Sequence, residues 1–109
     1  KIDLITTAVT FNEIRRSNKK VKKFWIKAFF DDEATVDKLQ GRIRIKSMNH
    51  RGLDSTRLLL KELGIKSNIT GQNIDNSWYL TLSRPEARKF VLKIGFDHTK
   101  KKILSKELI

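Results

Sequence analysis

The chain has 109 residues, no cysteine, and 24 Lys+Arg against 12 Asp+Glu, for a formal net charge of +12. That length suits one domain with one modest core, and the lack of cysteine excludes thiolate catalysis, zinc fingers and iron–sulfur clusters while fitting an intracellular protein. No apolar run reaches the roughly 18 residues of a membrane span, no signal-peptide pattern is present, and the cationic excess points to a polyanionic partner, most often nucleic acid.

Residues 1–20 read as an N-terminal arm or linker, and residues 21–109 as the domain. Ile2, Leu4, Ile5, Val9 and Phe11 suit a short strand or an arm, and the start at Lys1 without Met suits a fragment or a processed product. Arg15, Arg16, Lys19, Lys20, Lys22 and Lys23 then crowd together, as on a solvated helix face or a phosphate-contacting one. From Val21 to Asp31 the spacing predicts a helix, because Val21, Phe24, Trp25, Ala28 and Phe29 recur every three or four residues. Asp31, Asp32 and Glu33 close it. Acids at the negative end of a helix dipole cost stability, and a local conflict of that kind marks a functional position.

Two strands are expected next. Ala34 and Val36 alternate with Thr35 and Asp37; then Arg42, Arg44 and Lys46 alternate with Ile43 and Ile45, which puts three cations on one strand face. Asn49 is a suitable N-cap and Gly64 a suitable C-cap for a helix that buries Leu53, Thr56, Leu59, Leu60 and Leu63. A second strand pair follows. Ile65, Ser67 and Ile69 oppose Lys66, Asn68 and Thr70, and beyond a turn Trp78, Leu80 and Leu82 alternate with Ser77, Tyr79 and Thr81. Ser83-Arg84-Pro85-Glu86 reads as a capping box for a helix burying Ala87, Phe90, Val91 and Ile94. Gly95 stops that helix, and a last one is expected near Thr99 to Leu108, with His98 exposed at its start.

This order predicts an α+β domain: a four-stranded antiparallel sheet with helices on one face. The open face is expected to carry Arg42, Arg44, Lys46, Lys66, Asn68, Thr70, Gln72, Ser77 and Tyr79. Arg and Lys can read guanine, and Asn or Gln adenine, in the major groove of double-stranded DNA, which admits a β-ribbon.

The stretch Ile26-Lys27-Ala28-Phe29-Phe30-Asp31-Asp32-Glu33-Ala34 resembles the signature of the LAGLIDADG homing endonucleases, in its archaeal and intein-like form. Arg42–Ser47, Leu63–Ser67 and Ile94–His98 are similar to the family at corresponding places. The resemblance implies an αββαββα fold whose saddle-shaped sheet lies over the major groove, with two motif helices packed at a twofold axis. It implies that Glu33 binds Mg²⁺ (or Mn²⁺) with help from the Ala34 carbonyl, and that the active-site lysine falls on Lys100, with Lys101 and Lys102 as alternatives. Ser47 is the nearest match to the family's polar water-binding position. A homodimer interface is implied at Phe24, Trp25, Ala28, Phe29 and Asp32, since one motif copy is present. Ala34 departs from the motif's final glycine, and Asp32 from its second small residue. The implied activity is site-specific, Mg²⁺-dependent double-strand DNA cleavage in the cytoplasm, at the nucleoid. The alternatives are a catalytically inactive DNA- or RNA-binding module, and one half of an intein or of a larger two-motif protein.

Overall fold

A computed structural model describes residues 13–109; the apolar positions Ile2 to Phe11 and their expected strand or arm lie outside the described residues. The elements run α1 (Lys19–Glu33), β1 (Thr35–Asp37), β2 (Arg42–Ser47), α2 (His50–Glu62), β3 (Asn68–Gly71), β4 (Trp78–Leu82), α3 (Arg84–Lys93) and α4 (Thr99–Ser105), followed by a 3₁₀ turn at Lys106–Leu108. The strands form one antiparallel sheet in the order β1-β2-β4-β3. The αββαββα order expected from the sequence is therefore the order observed.

Local chemistry sets most boundaries. Asn18 caps α1 by accepting from the Val21 N–H at 3.0 Å, so the helix starts two residues before the apolar periodicity does. Asn49 caps α2 through the Gly52 N–H at 3.0 Å. Gly64 ends α2 with φ 82°, while the Ile65 N–H closes back on the Leu60 carbonyl at 2.9 Å, a Schellman arrangement. The expected capping box at Ser83 does not form. Ser83 has N-cap backbone geometry but no side-chain cap bond. Glu86 instead accepts from the Lys66 N–H at 2.7 Å and ties the start of the second strand pair to α3.

Strand alternation divides the sheet into two faces. Val36, Ile43, Ile45, Leu80 and Leu82 are buried beneath the helices. The helices join them through a continuous aromatic chain: Trp25 stacks on Phe29 at 5.2 Å, Phe30 meets Phe90 at 4.6 Å, and Phe90 meets Phe96 at 5.2 Å.

Helix α1 carries two apolar faces where periodicity suggested one. Ile26, Phe29 and Phe30 are fully buried in the chain's own core, whereas Phe24 is 75% and Val21 45% exposed. Trp25 and Ala28 are half-buried between the two faces, and Asp32 is exposed. Phe29, which the resemblance implies for a homodimer interface, thus packs inward into the chain's own core, while Phe24 and Asp32 stay outward. Among the described residues no helix is long and apolar enough to cross a membrane.

Candidate nucleic-acid interface and catalytic site

The open sheet face is built in rungs. Pairing aligns Thr35, Arg44, Thr81 and Asn68 across all four strands, and Lys46, Tyr79 and Thr70 across three. The Arg44 guanidinium lies 4.1 Å from the Tyr79 ring centroid and the Lys46 ammonium 6.0 Å from it, so Tyr79 is a platform between two cations. Two of the three β2 cations are paired with acids. Arg42 reaches Asp37 at 3.2 Å, and Lys46 reaches Asp75 at 2.8 Å. The Gln40 N–H, and then Arg42, hold the Asp37 carboxyl below its ordinary range. Lys46, and then Ser77, hold the Asp75 carboxyl far below its own. Arg44 makes no ion pair among the described residues, which leaves its guanidinium edge for a ligand.

The expected open-face positions do not all face outward. Asn68, Thr70 and Gln72 are exposed and Tyr79 is half-exposed. Lys66 is exposed too, but it precedes β3 beside α3. Ser77 is only 2% exposed. Its hydroxyl donates to Asp75 and accepts from the Asn73 side chain, so it fastens the β3–β4 turn and offers nothing to a groove. Thr81 completes the Arg44 rung; the alternation of β4 places it there, although the expected reading set stopped at Tyr79.

The acidic end of α1 has a different logic. The Asp31 carboxylate accepts from the Asp97 N–H at 2.9 Å and the His98 N–H at 3.1 Å, which pins the α3–α4 connection to the motif helix. These donors offset the unfavourable dipole position. Lys27 pairs with Asp97 at 2.9 Å across the same joint. His98 is exposed and caps α4 by accepting from the Lys101 N–H, as expected of a helix-start residue. The Lys101 ammonium donates to the Asp31 main-chain carbonyl, whereas Lys100 is exposed one position earlier. Adjacent helical residues project about 100° apart, so Lys101 is the lysine of this trio that the fold brings to the acidic end.

Glu33 is half-buried at the last residue of α1 and engaged with a neighbouring group. Ala34 is buried, with its N–H on the Phe30 carbonyl at 3.0 Å. A carboxylate and a main-chain carbonyl are hard oxygen donors of the kind Mg²⁺ and Mn²⁺ take. Among the described residues no three His, Asp or Glu side chains gather as a metal cluster. One chain therefore fits half of a divalent-metal site; water, a phosphate or a second motif helix would supply the rest. Ser47, the nearest match to the family's water-binding position, accepts from the Asn49 N–H at 3.0 Å at the entry to α2.

The geometry and the motif converge with comparison to known proteins. Residues 20–95 match the family model of the LAGLIDADG-like domain, and the chain belongs to that family. The fold is similar to the homing endonuclease I-DmoI in complex with DNA and Mn, with TM-score 0.65 and 26% identity over 84% of this chain and 51% of that one. It is also similar to mesophilic variants of I-DmoI, with TM-score 0.64 and 26% identity over 83% of this chain and 47% of that one. A variant of I-DmoI with its target DNA in the presence of Mg matches with TM-score 0.63 and 26% identity, over 83% of this chain and 50% of that one. The chain spans about half the length of these structures. No curated protein matches it significantly. The family and these neighbours support a nuclease or DNA-binding role.

Proposed function

We propose that the chain is a site-specific double-strand DNA endonuclease that works as a homodimer with Mg²⁺ or Mn²⁺. The observation that carries this reading is the placement of Glu33 and Ala34 at the end of α1, with Lys101 on the Asp31 carbonyl of the same helix end, on a domain whose open sheet face presents Arg44, Tyr79, Thr81 and Asn68 in register. The likeness to DNA complexes solved with Mn and Mg supports both the duplex and the metal. Location at the nucleoid in the cytoplasm is part of the same reading, in keeping with the +12 charge and a DNA partner.

The sheet face docks in the major groove, where Arg44 reads a guanine edge and Asn68 an adenine edge. Exposed cations outside the sheet hold phosphates. Two copies associate through the outward side of α1 at Phe24, Ala28 and Asp32, so that two Glu33 carboxylates meet across the minor groove; each half then completes the other. When bound there, a divalent ion would polarise the scissile phosphate and lower the pKa of bound water. Glu33 and the Ala34 carbonyl would hold it, and the Lys101 ammonium would steady negative charge nearby. Asp31 orients the joint, its carboxylate accepting from the Asp97 and His98 N–H groups.

The experiment is cleavage of a plasmid library in Mg²⁺ by the wild type and by Glu33→Gln. Cutting by the wild type, lost in Glu33→Gln while duplex binding survives, is the expected outcome. Wild-type binding with no nicking under any divalent metal would sink the enzyme and leave a binding module.

A further inference from the structure

The β3–β4 turn is not a passive connection. Asp75 stands at its centre, accepts from the Ser77 N–H at 3.1 Å and the Ser77 hydroxyl with one carboxylate oxygen, and holds the Lys46 ammonium at 2.8 Å with the other. Lys46 is the strand residue paired with Tyr79, the platform of the open face. Both members of the ion pair are about half exposed, 51% and 55%, so water and solutes reach them. Asn73 and Ile74 complete a shallow depression between the turn and Tyr79. A carboxylate on a lysine is the same contact that a DNA phosphate makes, and this one is built into the edge of the surface that would meet the duplex.

Resting on the DNA-binding reading above, we propose that Asp75 is an autoinhibitory residue of the duplex-binding face: it occupies Lys46 as an intramolecular stand-in for phosphate and lowers affinity for every duplex. Any duplex must displace that carboxylate before it gains the Lys46 contact. Exchange of one anion for another at an exposed ammonium is close to balanced, so a duplex gains little from Lys46 alone. Random and matching duplexes alike lose one counterion-releasing contact. A matching sequence keeps its base contacts at Arg44 and Asn68, so both bind more weakly while the gap between them stays the same.

Asp75→Asn is the clean variant, because its side-chain oxygen can still accept from Ser77 while the negative charge that holds Lys46 is removed. The probes are a random-sequence duplex and a duplex selected from a randomised pool by the wild type. In Asp75→Asn the salt dependence of random-duplex binding should steepen by about 0.9 in log–log slope, worth about fivefold at 0.15 M relative to 1 M salt. Affinity for the selected duplex should rise by the same factor, leaving the selected-to-random ratio unchanged. Lys46→Met should abolish the difference, so that Lys46→Met/Asp75→Asn matches Lys46→Met; a thermal melt of each variant shows that the turn still folds. An unchanged salt slope and affinity in Asp75→Asn, with wild-type binding intact, overturns this inference alone. No wild-type binding to any duplex overturns the DNA reading, and this inference with it.

Discussion

Phe30→Ala and Phe24→Ala, six residues apart on α1, test the two-faced motif helix. Phe30 is fully buried, with its ring 4.6 Å from Phe90 and 6.2 Å from Phe29, so it joins α1 to α3. Truncation of a buried Phe costs about 3–5 kcal/mol in lost transfer energy plus the cavity left behind. At about 4–8 °C per kcal/mol for a domain of this size, the melting temperature should fall by roughly 12 °C or more. Phe24 is 75% exposed. Its truncation should change monomer stability by no more than about 0.5 kcal/mol. The assay is thermal and urea unfolding at a protein concentration low enough to remove association, since association itself would raise the melting point. The same two variants then go to sedimentation at high concentration, where Phe24→Ala should weaken self-association. A Phe30→Ala loss below about 1 kcal/mol, or a Phe24→Ala monomer melting as low as Phe30→Ala, would show that the faces are assigned the wrong way round.

Other positions give shorter tests. Arg44→Ala should cost about 1–3 kcal/mol and relax discrimination at one base position, whereas Lys19→Ala should weaken all duplexes alike; equal losses on selected and random DNA for Arg44→Ala would count against the sheet-face reading. Lys101→Met should lower the cleavage rate more than Lys100→Met, with little change in duplex affinity for either; the reverse ranking would return the role to Lys100. Gly64→Ala should destabilise by about 1–2 kcal/mol, because φ 82° is left-handed and the Lys93 ammonium lies 3.1 Å from where the methyl would stand. The Lys66 N–H, foremost, and Lys89 keep the Glu86 carboxyl below its ordinary value. A folded-state value below the unfolded one gives stability that is present above the unfolded pKa and lost as pH falls through the folded one. Glu86→Gln should therefore flatten the acid limb of the stability profile below about pH 4.5; an unchanged limb would place the acid sensitivity in other carboxylates.

Much of this fold was legible because its signals are local. Asn49, Gly64 and Gly95 punctuate the helices where the sequence places them, and alternation alone put Ile43 and Ile45 inside and Arg42, Arg44 and Lys46 outside. What misled was tertiary. Phe29 and Phe24 fall within one broad periodic stripe, and only packing against α3 and the sheet separates the core face from the outward one. Ser77 has open-face parity, but a turn acid two residues earlier draws its hydroxyl inward. Glu86 had the spacing of a capping box until the Lys66 N–H, 20 residues away in sequence, offered a better donor. The acids at the end of α1 looked like an unrelieved dipole conflict, and Asp31 is relieved by two main-chain N–H groups from residues 97 and 98. The lysine beside that end could not be fixed by sequence to better than one position. One residue on a helix is about 100° of direction, and the fold chose Lys101.

The most direct test of the central claim counts strand breaks in a mixing experiment. A supercoiled plasmid bearing one site selected by the wild type is incubated in Mg²⁺ with wild type, and with wild type plus excess Glu33→Gln. Two copies of one chain, each contributing Glu33 to one strand, predict linear plasmid from the wild type and accumulation of nicked circles from the mixture. Plasmid that stays supercoiled with the wild type under Mg²⁺ or Mn²⁺, despite binding, would contradict the account and leave this LAGLIDADG-family chain a DNA-binding module.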